Sequence, residues 1–235
     1  MKGIFKLWFS IIIVLLMPSC EKAGQEVISP LDKNYSVETQ SIVEGDVTIK
    51  YPQIIFTEPN TGQNKVNEMI EEEAGKVMRY YDNSTEGLIL EIDYQIQRQD
   101  EEVLSIQYAG SGYVEGAAHP NNMFYTTNVD LQKGNLIRLK DVVEINRDFA
   151  EKLIAGKFQI AESVVATKEE ILDYLNLFTT EELIERFKNA DSLDNIGTDD
   201  QSDIFSYFTA DSIGISVGVS HASGDHAEFL IGDKD

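Results

Sequence analysis

The residues of this chain whose types and spacing could do chemistry are three histidines, one cysteine and a run of aspartates. His221 and His226 bracket Ala222-Ser223-Gly224-Asp225. Two imidazoles across such a turn, with Asp225 or Glu228 beside them, could ligate zinc if His119 approached from elsewhere in the chain. The same spacing equally suits two solvated histidines flanking a final hairpin with Gly224-Asp225 at its tip. His119-Pro120 follows Gly116-Ala117-Ala118, and these small residues predict a close backbone approach with His119 hydrogen-bonded to the chain beside it. Asp194, Asp199, Asp200 and Asp203 lie around Gly197. Calcium needs six to eight oxygens at defined spacing; the EF-hand order is not met and no Glu closes the loop, so a solvated acidic loop is expected. Ser111, in Gly110-Ser111-Gly112, lacks the Gly-x-Ser-x-Gly elbow of a nucleophile and reads as a turn residue. No Gly-rich run precedes Lys-Ser or Lys-Thr, so no phosphate cradle is expected. These residues predict no catalytic constellation, no metal and no cofactor. The alternative is a glycan-modifying hydrolase using His119, or a zinc ion at His221 and His226.

Composition narrows the class. The chain has 235 residues, 19 Lys+Arg against 41 Asp+Glu and a formal charge of −22. Phosphate backbones are bound by clustered positive charge, so a nucleic-acid partner is not expected. At 42% apolar residues the chain can bury a core, and one cysteine forbids a disulfide framework. That cysteine, Cys20, stands at the end of a basic start (Lys2, Lys6), an apolar run from Leu7 to Met17 and Pro18-Ser19. These are the parts of an export signal. Eleven helical residues span roughly 17 Å, well short of the ~30 Å hydrocarbon core, so a spanning helix is the weaker reading. A cysteine directly after Ser19 resembles the bacterial lipoprotein signal, in which that cysteine is lipidated and becomes the first mature residue. Met17 and Pro18 depart from the usual residues there. Residues 1–19 read as a lipoprotein signal peptide, 20–34 as a flexible tether and 35–235 as a single domain. Loss of Lys2 and Lys6 with the leader leaves 17 Lys+Arg against 41 Asp+Glu, a net charge of −24.

The elements that would position these side chains are legible from period. Tyr35 to Glu44 and Val47 to Ile55 flank Glu44-Gly45-Asp46 and predict a hairpin. Glu58-Pro59-Asn60-Thr61-Gly62 is a breaker cluster. Val66, Met69, Ile70, Val77, Met78 and Tyr81 recur at three and four residues, which predicts a helix over 64–81, ended by Asp82 to Gly87. Leu88, Leu90, Ile92, Tyr94 and Ile96 alternate with polar residues as a strand; Gln97 to Glu102 reads as a turn, and Val103 to Tyr113 pairs back. Met123 to Leu131 and Leu136 to Leu139 are further strands. Residues 141–187 read as mainly helical, with capping boxes at Thr167/Glu170 and Thr179/Glu182. Residues 189–203 read as a loop, and Ile204 to Phe208, Ile213 to Val219 and Ala227 to Ile231 as closing strands. The sum is an α+β fold: an antiparallel or mixed β-sheet with helices packed on one face.

Tyr108-x-Gly110-x-Gly112, Gly116-Ala117-Ala118-His119-Pro120-Asn121, Asn128-x-Asp130 with Gly134, and Leu139-x-Asp141 form a pattern. With Phe208-Thr209-Ala210-Asp211-Ser212-Ile213 and the run from His221 to Glu228, it resembles an extracytoplasmic domain family. That family is shared by the lysozyme-sensing anti-sigma factor RsiV and the amino-terminal region of the peptidoglycan deacetylase PdaC. Where His221 stands, the family usually has Tyr. The resemblance covers about residues 36–231 and implies an α+β domain outside the cytoplasmic membrane, linked to the cell envelope, here as a stand-alone lipoprotein. It implies no reaction. The combined expectation is a lipid-anchored envelope protein, facing the periplasm or the cell exterior. It would be held to a membrane through Cys20 and bind a basic, lysozyme-like muramidase or peptidoglycan. Ligand contacts are expected at Tyr108, Tyr113, Glu115, His119 and Asn121. A field of −24 would attract a cationic partner, with strong salt dependence.

Overall fold

The computed structural model describes residues 34–58, 60–161 and 166–232. The expected leader, Cys20 and all of the expected tether but Asn34 lie outside the described residues, as do Pro59 of the breaker cluster and residues 162–165. Among the described residues ten strands divide between two sheets, where the sequence suggested one. The first sheet runs in the order β1-β2-β3-β4-β5-β6. Its strands are β1 (Tyr35–Glu44), β2 (Val47–Phe56), β3 (Leu88–Gln99), β4 (Val103–Val114), β5 (Asn121–Asp130) and β6 (Asn135–Leu136). Every pair is antiparallel except β2 with β3, which are parallel and joined through helix α1 (Gln63–Gly75). A parallel pair needs such a crossover, which is why the sheet is mixed.

Alternation decides which face of this sheet is dry. Leu88, Leu90 and Ile92 of β3, Leu104, Ile106 and Tyr108 of β4, and Tyr125 and Val129 of β5 join Val66, Ile70, Ala74 and Val77 in one core. The Tyr125 hydroxyl donates to the Ala74 carbonyl at 2.9 Å, tying α1 to the sheet. The last turn of the expected helix tightens to a 3-10 form over Lys76–Tyr81 and ends at Asp82, which takes the left-handed conformation at φ 52°.

The second sheet runs β7-β10-β9-β8, all antiparallel. It comprises β7 (Gln159–Ile160), β8 (Ile204–Phe208), β9 (Ile213–Gly218) and β10 (His226–Ile231). Helices α2 (Leu139–Val142), α3 (Arg147–Ile154), α4 (Lys168–Leu175) and α5 (Thr180–Lys188) supply its core, in which Leu153, Ile171, Leu175, Leu183 and Phe187 meet Ile204, Ile215, Val217 and Phe229. Both expected capping boxes form: Thr167 and Thr179 accept from the N–H of Glu170 and Glu182, and each Glu reaches back.

Some local expectations are corrected. β3 continues through Gln99 instead of turning at Gln97. Ser111 lies inside β4, paired with Glu91 and Asn122, not in a turn. Of the expected strand Leu136–Leu139 only Leu136 is in a strand, as the second residue of β6, and Leu139 begins α2. The helical stretch 141–187 is interrupted by β7, whose two residues pair with Phe229 and Leu230 at the edge of β10.

A buried polar seam joins the sheets. The free edge of β8 would leave N–H and C=O groups unpaired, and side chains of the first sheet reach them. Phe208 N–H donates to Ser105 Oγ at 2.8 Å, and Asn128 Nδ2 donates to the Ser206 carbonyl at 2.9 Å. Asp191 accepts from the backbone N–H and the hydroxyl of Ser206, from Leu139 N–H at 2.7 Å and from Thr126 Oγ1 at 3.4 Å. The seam positions the ends of β5, β8 and β9, where the candidate site lies.

Candidate functional site

Loops from both sheets meet beside the first residues of β5. His119, exposed in the β4–β5 turn, lays its ring on that of His221 from the β9–β10 connection, with centroids 3.8 Å apart and planes 17° from parallel. His119 Nδ1 lies 3.1 Å from the Pro120 carbonyl, the expected contact with its own chain. His221 Nδ1 lies 3.0 Å from both oxygens of Asp225, and Asn122 N–H donates to that carboxylate at 2.9 Å. Burial would raise the Asp225 carboxyl, but the Asn122 and His221 bonds outweigh it and hold it below its ordinary value.

His226 turns the other way. Its ring packs on Phe124 at 4.6 Å, and burial pushes its pKa below the usual imidazole value against the opposing pull of Asp225. Zinc would need three or four ligands around one point. Two of the histidines meet face to face and the third is turned inward. Among the described residues no three His, Cys, Asp or Glu side chains are placed to hold a metal ion. The three-histidine arrangement weighed from the sequence therefore does not form.

Under this junction lies an open cleft of about 220 Å³. Asn121, Asn122, Met123 and Phe124 of β5 line it together with Asp225 and His226. Ile196 and Gln201 to Asp203 of the long loop, with Tyr80, Tyr125, Phe205, Ser216 and Gly218, complete the lining. The loop is held in place by charge and by close packing. Buried Lys76 donates to Glu73 at 2.6 Å and to Asp194 at 3.0 Å. Asp194 also accepts from Arg138 at 2.9 Å. Arg138 and then Lys76 pull the Asp194 carboxyl down to about 2. Asp203 accepts from Tyr174 and from Arg186 Nη2, each at 2.7 Å.

The residues expected to contact a ligand separate. Asn121 lines the cleft and His119 stands in the junction above it. Tyr113 is half-buried and pairs with Ile89, and Glu115 is exposed where its N–H bonds the Gly87 carbonyl at 2.8 Å. Tyr108 is fully buried, stacked on Tyr125 at 4.7 Å, so its hydroxyl does not reach the surface. Sequence reading did not find Tyr80, Gln201, Asp203, Ser216 or Gly218 as cleft residues. One available signal was the glycine pair Gly214 and Gly218 inside a strand pattern, since a strand glycine marks close approach of another group. The Tyr207 ring does lie across Gly214.

The fold and the site define a two-sheet α+β domain with a small polar cleft where the sheets join. No protein-family profile matches the chain. No curated protein matches it either. Among solved structures it is similar to a DUF3298 family member from Bacteroides fragilis, with 16% identity over 85% of this chain and 92% of that chain and a TM-score of 0.46. It is also similar to a DUF3298 family protein from Pseudomonas aeruginosa, with 11% identity over 87% of this chain and 91% of that chain and a TM-score of 0.43.

Proposed function

We propose that this chain is an exported, lipid-anchored protein of the bacterial cell envelope whose domain binds a ligand without transforming it. The partner that fits best is a basic protein of the lysozyme-like muramidase class; peptidoglycan is the other envelope ligand considered. The amino-terminal sequence, with its basic start, short apolar run and Cys20, supports export and acylation. The observation that carries the binding reading is charge. A mature chain with 17 cations and 41 carboxylates sets up a negative field that raises the encounter rate of a cationic partner. Glu115 and His119, exposed at and beyond the end of β4, are surface groups that such a partner can meet. The test is a calorimetric titration with a basic lysozyme at low and at high salt. Binding at low salt that weakens steeply as salt rises is expected, because screening shortens the Debye length from ~30 Å at 0.01 M to ~10 Å at 0.1 M. No affinity at low salt removes the muramidase reading.

A further inference from the structure

The cleft under the histidine pair has a chemistry that charge attraction does not use. No lysine or arginine lines it, so a phosphate or carboxylate ligand would find no counter-ion there. Its polar wall is made of planar side chains. Asn121 bonds the Tyr81 hydroxyl, Asn122 bonds Asp225, and the Gln201 carbonyl oxygen accepts from Gly197 N–H at 3.0 Å, so each amide keeps only part of its donor and acceptor capacity. Asp203 and Asp225 carry acceptors alone. Neighbouring hydroxyls on a sugar ring, each both donor and acceptor, match that remaining capacity. Both carboxylates are fixed in advance, Asp203 by Tyr174 and Arg186 and Asp225 by Asn122 N–H and His221. A carboxylate has about four lone-pair sites, so each keeps capacity for a ligand hydroxyl.

In the lining Tyr80 is 38% exposed, its ring set edge-on against Tyr81 at 5.0 Å and 76°. A fixed aromatic face beside a polar wall suits the C–H face of a pyranose, with one side apolar and the rim wet. Gly218 is part of the lining, and a Cβ there would enter ordinary contact with Asp203 at 3.4 Å and Tyr174 at 3.8 Å. The space of about 220 Å³ is on the scale of a single ring rather than a lipid or a peptide.

We propose that this cleft is a saccharide subsite that takes one uncharged ring of a glycan. It goes beyond the electrostatic reading above and does not depend on it. The test is titration of the ¹⁵N-labelled full chain with N-acetylchitotriose, following the side-chain amide signals of Asn121, Asn122 and Gln201 at low and high salt. Saturable shifts confined to the cleft and unchanged by salt are expected. Tyr80→Ala weakens binding about tenfold through the lost ring face. Gly218→Val, which crowds Asp203 in the lining without a left-handed backbone, abolishes it, while both variants keep the far-ultraviolet spectrum of the parent. Absence of shifts, shifts elsewhere on the domain, or binding restricted to the deacetylated cationic trisaccharide at low salt overturns the proposal. Because a basic lysozyme is titrated separately and responds to salt, failure of either reading is distinguishable from failure of the other.

Discussion

Asp191 is buried with every contact a donor: two groups of Ser206, the Leu139 N–H and the Thr126 hydroxyl. Burial nonetheless dominates and pushes its carboxyl up from 3.8 to about 6, with the Ser206 bonds opposing. A folded-state pKa above the unfolded one means that the folded chain holds this proton more tightly. The associated stability is present below pH 3.8 and is lost as pH rises toward 6, on the order of 3 kcal/mol for that shift. Urea unfolding of the parent and of Asp191→Asn across pH 4 to 7 isolates this group. The parent's stability relative to the variant is expected to fall with rising pH through that window. A constant difference would mean that Asp191 does not titrate there. At this scale sequence reading was partly sufficient. His119 bonds its own chain, but Gly116 before it has open space instead of the expected close backbone approach, and the stacking of His119 on His221 joins two sheets, which no local pattern encodes.

At the scale of elements, period and capping made most of the fold legible. The unbroken alternation from Leu88 to Ile96 and the Thr-x-x-Glu boxes at 167 and 179 describe forces that act within one element, and those elements formed. The partition into two sheets was not legible, because it depends on which edges are sealed by side chains far away in sequence. Ser105 and Asn128 are polar residues that alternate with the apolar face of β4 and β5, yet they are buried and seal the edge of β8. β7 was missed because two residues carry no period at all. Gly110 shows how tightly β3 and β4 are matched. A Cβ there would run into the Glu91 carbonyl oxygen across the pair, which is backbone and has nowhere to yield. Gly110→Ala is therefore expected to cost at least ~2 kcal/mol in urea unfolding, in the range of overpacked sites and above the ~1 kcal/mol strand-propensity scale. A loss no larger than propensity would show that the two strands separate without penalty at this point.

For the whole molecule, the proposed attachment of an acidic domain to a membrane has to overcome its charge. Among the described residues no helix is long and apolar enough to cross a membrane. Attraction to anionic lipid is opposed by a charge of −22, so retention at a bilayer needs an apolar attachment. Acyl chains supply about 0.8 kcal/mol per buried methylene, and two or more are needed for stable anchoring. Cys20 is the single thiol in the sequence and stands where such chains would be attached. In a bacterial host fed labelled palmitate, the parent is expected to carry label, to partition into the detergent phase and to have lost residues 1–19. Cys20→Ser is expected to carry no label, because the thioether that holds the first chains requires sulfur. Recovery of the parent unlabelled from cytosol with Met1 in place would remove the anchored reading and leave the cleft and its sugar chemistry to be judged apart from any envelope.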